Sequence, residues 1–178
     1  MTDKKVQKLR LIALTALFAA LTAVATAFIK INTGINEGYL HFGDSVIYLA
    51  ACILPAPYAC LAAAVGGGIA DLLAGAAVWA PITAVIKALN ALPFAIIYRA
   101  KITKSPNKII NKATVAMPVI SGLITVFGYL LAEGIMYSFP SAWTSVPFSI
   151  VQATGSAAVY WILGASLDKL NFKNRLFK

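Results

Sequence analysis

Long apolar runs without a charged side chain dominate this sequence. Six of them occupy residues 11–29, 45–70, 72–86, 88–98, 113–132 and 134–167. A helix needs about 20 apolar residues to cross the roughly 30 Å hydrocarbon layer of a bilayer. Because only 12% of the 178 residues are charged, the chain cannot cover a water-soluble surface, and it is too apolar to be disordered. The runs predict one integral membrane domain over residues 1–178, a multi-pass protein of the cell membrane.

Lys and Arg residues lie mainly beside these runs. Thirteen of the 15 fall in three segments, 4–10, 99–112 and 169–178. A net charge of +9 could suggest a nucleic-acid partner, but short basic segments that flank apolar runs are typical of cytoplasmic anchors. We therefore expect the lipid bilayer as a partner and no nucleic acid. Both termini and the 99–112 loop are predicted to be cytoplasmic.

The breaks between runs predict an all-α membrane protein with six transmembrane helices. Pro55 and Pro57 divide the second run, since proline removes a backbone donor and clashes with the preceding turn. The number of crossings between two cytoplasmic segments must be even, which favours two helices there over one kinked helix. We predict helices at 9–29, 44–54, 58–75, 81–98, 114–138 and 147–167. Segments 30–43, 76–80 and 139–146 are then on the outer face.

Three charged residues interrupt the predicted spans, namely Asp71, Lys87 and Glu133. Each costs about 2.5 kcal/mol or more if it faces lipid, so such residues normally face a bundle interior or a ligand pathway. All three map to the outer half of the predicted bundle. Asp71 and Lys87 either form an ion pair that joins two helices, or Lys87 contacts a ligand. Glu133 has no basic partner left, and we expect it to contact a ligand.

Polar side chains at helical spacing extend this outer region. Lys87 and Asn90 are three residues apart, Glu133 and Tyr137 are four apart, and Gln152 belongs to a similar stripe on the last helix. Such stripes can also join helices, but their shared outward bias favours a cavity that suits a flat, polar heterocycle. The predicted ligand contacts are Lys87, Asn90, Glu133, Tyr137 and Gln152, with Asn36, His41 and Trp143 from the outer segments. The 30–43 loop is either a lid or a structured connector.

Alanines recur on the first helix at the spacing of close helix contacts. Ala16 and Ala20 form one small-xxx-small pair, and Ala19 and Ala23 form another. Small residues let a second backbone approach closely where lipid offers no hydrophobic drive. Packing within the bundle explains these pairs, and so does docking of an external partner.

Catalytic and metal-binding motifs do not occur in the sequence. It contains one histidine and lacks the GxSxG, HExxH and P-loop patterns. Cys52 and Cys60 do not have the spacing of metal ligands. We expect no enzymatic activity, no catalytic residue and no metal.

Three motifs together resemble the substrate-binding S component of energy-coupling factor (ECF) vitamin transporters. They are HFGD at 41–44, AVGGGIADLLAG at 64–75 and WAPITAVIKAL at 79–89. The resemblance implies that the chain binds a vitamin or vitamin precursor at its outer face. It then docks on a transmembrane scaffold (T) subunit with two ATPase subunits, which use the ATP, and topples to release its cargo. This chain itself needs no cofactor.

The resemblance also carries residue-level expectations. Ala16 and Ala20 correspond to the motif that meets the scaffold subunit in the family. The family site lies in the outer half, beneath the first loop. The motifs are closest to the branch assigned to hydroxymethylpyrimidine or pyridoxine-like compounds, and riboflavin belongs to a related branch.

Two other functions fit the same residues. A standalone proton-coupled secondary transporter could use Asp71 or Glu133 as a relay, although no internal repeat supports it. A membrane scaffold without a ligand would use the intramembrane charges only as internal pairs. Uptake that requires partner ATPases would distinguish the importer subunit from the secondary transporter and from the ligand-free scaffold.

Overall fold

The computed structural model is a helical bundle and describes residues 3–36, 38–99 and 108–176. Lys101, Lys104 and Lys178, which belong to the predicted basic segments, lie outside this range. Seven helices and one β-hairpin occur in the described ranges. The elements are α1 Asp3–Ala27, β1 Lys30–Asn32, β2 Tyr39–His41, α2 Gly43–Ile53, α3 Ala56–Ala74, α4 Ala80–Arg99, α5 Met117–Met136, α6 Phe139–Lys169 and α7 Phe172–Leu176.

Helices α1, α3, α4, α5 and α6 are long and apolar enough to cross a bilayer, which confirms an all-α membrane protein. The shorter α2 has 11 residues and reaches only about 16 Å. Almost all of it is buried by the longer helices, so it needs no lipid-facing length of its own. Six spans and cytoplasmic termini stay predictions.

Proline and glycine set two of the helix boundaries near the predicted positions. Leu54 has an extended backbone between α2 and α3, the conformation favoured before a proline. Gly75 ends α3 with φ +82°, a left-handed conformation that costs glycine little. The backbone N–H of Ala76 then donates to the Asp71 carbonyl at 2.8 Å.

The start of the last long helix was predicted wrongly. Helix α6 begins at Phe139, whereas the sequence placed residues 139–146 in an outer segment. Pro140 lies in the first turn, where the missing N–H is not needed, and the Ser138 hydroxyl accepts from the Ser141 N–H at 3.4 Å. Pro147 lies inside the helix, as membrane helices tolerate when neighbours satisfy the backbone.

Two alanine pairs on α1 face different surroundings. Ala19 and Ala23 are buried, whereas Ala16 and Ala20 are exposed. A Cβ atom added at Gly66 of α3 would lie 2.6 Å from the Ala19 carbonyl oxygen, so α1 and α3 pack too closely for any side chain there. Internal packing therefore accounts for one pair and leaves the other on the surface.

The strands form a short antiparallel hairpin that the sequence did not predict. Lys30 pairs with His41 and Asn32 with Tyr39. The hairpin connects α1 to α2 and lies at the end of the bundle where α3 ends and α6 begins; we call this the hairpin end. The opposite end, where Arg10, Pro55 and Lys173 surround one cleft, is called the basic end.

Candidate functional site

A cavity lies beneath the hairpin, between α3, α4, α5 and α6. Its volume is about 70 Å³, enough for a few water molecules and far below the roughly 300–1,000 Å³ of small-molecule pockets. The residues that line it come from β2 and the loop before it, from four helices and from the turn before α4: Thr33, Asn36, Gly38, Tyr39, Leu40, His41, Asp71, Trp79, Thr83, Tyr129, Glu133, Ser145, Phe148, Ser149 and Gln152. A heterocycle can enter only if the hairpin or these side chains move.

Half of the predicted ligand contacts come together at this cavity. Asn36, His41, Glu133 and Gln152 line it, although they lie far apart in the sequence. The intramembrane residue Asp71 lines it as well.

The other predicted contacts lie elsewhere. Lys87 and Asn90 are completely buried outside the lining, whereas Tyr137 and Trp143 are 45% and 62% exposed. Trp143 is on the first turns of α6 because that helix begins earlier than predicted. Tyr137 packs its ring against Trp79, with 6.1 Å between the ring centroids.

Lys87 pairs with Asp44 and not with Asp71, which corrects the predicted ion pair. The Lys87 Nζ and Asp44 Oδ1 atoms are 2.6 Å apart, and both side chains are buried. Lys87 Nζ also lies 5.3 Å from the centre of the Tyr129 ring. The sequence missed Asp44 because it was placed at the first residue of a helix, next to an outer segment, whereas α2 is almost entirely buried by the longer helices.

Asn90 joins α4 to α5. Its Nδ2 donates to the Thr125 hydroxyl at 2.8 Å, and the Ser121 hydroxyl donates to the Asn90 carbonyl at 2.8 Å. Buried polar groups in a membrane need such partners. The stripe was interpreted as part of a cavity wall, and for Asn90 the structure favours helix contact over ligand contact.

Two carboxylates at the cavity hold the hairpin. Asn36 Nδ2 donates to Glu133 Oε2 at 2.6 Å, and the Tyr39 hydroxyl donates to Asp71 Oδ1 at 2.5 Å. Ser141 of α6 donates to Asn36 Oδ1 at 2.8 Å. Burial, followed by the hydrogen bond to Asp71, raises the pKa of Tyr39 well above its ordinary value, so this phenol is a donor at neutral pH. The 30–43 segment thus covers the cavity and is fastened to three helices.

His41 is buried in the cavity wall. Burial and the nearby charge of Lys87 lower the pKa of His41 to about 3, so its imidazole is neutral near pH 7. Its Nδ1 atom accepts from the Gly43 backbone N–H at 3.1 Å.

The cavity wall also carries aromatic rings and buried polar groups. The rings of Trp79 and Tyr129 are 6.1 Å apart, and the Tyr129 hydroxyl lies 3.1 Å from that of Thr83. Trp79 Nε1 is buried without a hydrogen-bond partner in the described part of the chain, and the Asp71 carboxylate in the same wall interacts with Tyr39 and Thr83. An unpaired donor and a carboxylate in one cavity wall suit a polar ligand. Trp79 lies beside the start of a predicted span, where a tryptophan is normally an interface anchor, but here its ring lines the cavity.

Comparisons with known proteins bear on the family of this chain. Residues 6–169 match the family described as ECF-type riboflavin transporter, S component. A protein of Pyrococcus woesei, described as "uncharacterized protein in gap 3′ region", is 29% identical over 146 residues, which cover 82% of this chain and 93% of the relative. The family match confirms the resemblance drawn from the three motifs and accords with a multi-pass membrane protein.

Proposed function

Because the chain belongs to the family of ECF-type riboflavin transporter S components, we propose that it captures a heterocyclic vitamin or vitamin precursor in the cavity beneath its hairpin. The observation that carries this proposal is the cavity itself, which joins aromatic walls to carboxylates and to the unpaired Trp79 Nε1 donor within a membrane bundle. Flat heterocycles bind by stacking on rings and by a few placed hydrogen bonds. The role is transport, and ATP is used by partner subunits.

The ligand is either riboflavin, which the family description names, or a smaller ring such as hydroxymethylpyrimidine or pyridoxine, which the motifs favour. Both classes present ring nitrogens and hydroxyl groups. Of the predicted contacts, Asn36, His41, Glu133 and Gln152 are proposed to touch the ligand, with Asp71 and Trp79 added from the cavity wall.

The hairpin end is proposed to face outward. Lys4, Lys8 and Arg10 on α1 and Lys173 and Arg175 on α7 support this direction, because basic residues favour the cytoplasmic side. Capture from outside then takes place at the cavity mouth. The orientation also makes six spans and cytoplasmic termini consistent with each other.

Docking to the scaffold (T) subunit is proposed at Ala16 and Ala20. Both are exposed while Ala19 and Ala23 are covered by α3, so one face of α1 remains open to a second helix. A complex with the T subunit and two ATPase subunits would use this face.

Mass spectrometry of the small molecule that co-purifies from rich medium tests the ligand class. Titration of the ligand-free protein with riboflavin, hydroxymethylpyrimidine and pyridoxine then ranks the three compounds by affinity. We expect one of them to bind tightly to the protein alone and to be taken up by cells only when the T and ATPase subunits are present. Uptake that follows a proton gradient without partners would refute the importer role.

A further inference from the structure

Asp44 and Lys87 form a charged pair directly behind the cavity wall. Asp44 Oδ1 contacts Lys87 Nζ at 2.6 Å, which leaves Oδ2 as a second acceptor. Gln152 Nε2 lies 3.3 Å from this Oδ2 atom. Because an ionised carboxylate only accepts hydrogen bonds, the Gln152 amide must turn its NH₂ group toward Asp44. The side-chain carbonyl oxygen of Gln152 makes no hydrogen bond with a described residue. It can therefore accept one from a ligand in the cavity that Gln152 lines.

His41 lines the same cavity and its hydrogen bond sets its tautomer. Nδ1 accepts from the Gly43 N–H at 3.1 Å, so Nδ1 carries no proton. A neutral imidazole then bears its proton on Nε2. Within the described ranges Nε2 has no partner, and it is a free donor.

From these two constraints, and resting on the proposed function, we infer that Asp44 is a positioning residue that selects the ligand's hydrogen-bond pattern. With Gln152 as acceptor and His41 as donor, the cavity wall matches a ligand whose ring edge carries an N–H group beside a hydrogen-bond acceptor. Lactam, imide and aminopyrimidine edges have this pattern. A ring methylated at the same nitrogen lacks the donor and leaves the Gln152 carbonyl without a partner.

Matched pairs of compounds test the ligand side. The probes are riboflavin and riboflavin methylated at its imide nitrogen, and hydroxymethylpyrimidine and its dimethylamino analogue. We expect the parent that binds to do so at least about tenfold more tightly than its methylated partner, as for other lost hydrogen bonds that leave a buried group unpaired. Equal affinities within the pair would overturn the inference while leaving the proposed function intact.

A paired substitution tests Asp44 itself. Asp44→Asn together with Lys87→Gln removes both charges without leaving either one unpaired, and it frees the Gln152 amide to turn. In this variant the ratio of the affinity for the parent compound to that for its methylated partner is expected to fall toward one. If Asp44 had a merely structural role, both affinities would weaken equally and the ratio would not change. The control is Thr154→Ala, on the exposed side of α6, the helix that carries Gln152. Among the described residues, the Thr154 hydroxyl donates to the Ile150 and Val151 carbonyls. An unchanged ratio in the folded double variant would overturn the role of Asp44.

The histidine tautomer can be measured without any ligand. His41 is the one histidine in the sequence, so a protein labelled with ¹⁵N-histidine gives a single imidazole signal set. We expect protonated Nε2 and unprotonated Nδ1 at neutral pH. The opposite tautomer would overturn the inference whether or not a vitamin binds. If neither parent compound binds but pyridoxine does, the inference is overturned and the proposed function stands, because pyridoxine carries no N–H edge. If none of the three compounds binds, the proposed ligand class fails instead.

Discussion

The buried pair of Lys87 and Asp44 gives the most quantitative prediction. Lys87→Met removes one charge and leaves Asp44 without its counter-ion in a site from which solvent is excluded. At 2.6 Å and an effective dielectric constant of about 20, the attraction is about 6 kcal/mol before desolvation is subtracted. Breaking a buried pair by removing one partner typically costs about 3–5 kcal/mol. By the scaling measured for soluble domains of this size, that is a loss of roughly 6–20 °C in Tm.

A double-mutant cycle in lipid nanodiscs measures this coupling. Lys87→Met, Asp44→Asn and the double variant are unfolded by heat or by denaturing detergent, and the double variant is expected to recover most of the stability lost by Lys87→Met. The matched control combines Lys87→Met with Asp71→Asn. The stability losses of these two substitutions should be closer to additive, because Asp71 accepts a hydrogen bond from Tyr39 instead. A coupling energy below about 0.5 kcal/mol between Asp44 and Lys87 would refute their assignment as an ion pair. So would a coupling energy between Asp71 and Lys87 that exceeds the one between Asp44 and Lys87.

The remaining predictions concern the cavity wall and the surface of α1. Glu133→Gln should weaken vitamin binding by about tenfold, because it replaces a charged acceptor by a neutral amide; unchanged affinity in a calorimetric titration would remove Glu133 from the site. Ala16→Leu should leave binding intact but abolish assembly with the T subunit, whereas Ala165→Leu, exposed on α6, should not; normal co-purification of the first variant would contradict docking there. The pKa of His41 is lowered to about 3 in the folded protein. Between about pH 6.5 and 3 its imidazole is therefore protonated in the unfolded chain but neutral in the folded one. The free energy of unfolding should fall by up to about 1.4 kcal/mol per pH unit through this range as the pH is lowered. The His41→Gln variant should show a shallower loss of stability from pH 6.5 to 4.5, and parallel curves would disprove this. A phosphate ester of the vitamin should bind at least about tenfold more weakly than the free vitamin, because none of the described residues that line the cavity is Lys or Arg and two are carboxylates; equal affinities in competition would argue against it.

Polar residues at helical spacing acquired partners that the spacing did not predict. Asn90 was placed on a polar stripe that lines a cavity, but it is buried and its amide donates to Thr125 of the adjacent helix. Helical spacing tells which side chains share a face. It does not tell whether the opposing surface is a neighbouring helix or a cavity, because that depends on how far apart the two backbones lie.

The β-hairpin illustrates a second limit of sequence interpretation. Its strands have three residues each, too short for an alternating pattern to stand out. Asn36 at its tip adopts φ +49°, a conformation that asparagine tolerates better than most residues. Hydrogen bonds from this tip to Glu133 and from Tyr39 to Asp71 hold the hairpin over the cavity, and these are contacts of high sequence separation.

Local chemistry was sufficient for the membrane class, the helix breaks at Pro55 and Gly75, and the family motifs. Apolar length and proline or glycine geometry act over a few neighbouring residues, so a linear sequence displays them directly. The partner of Lys87 depended on the position of α2, a short helix that the longer helices bury. Asp44 is next to Lys87 only because α2 and α4 pack side by side, and one buried charge favours whichever opposite charge the packing brings within reach. Tertiary structure therefore chose Asp44 over Asp71, and with it the orientation of the Gln152 amide in the cavity wall.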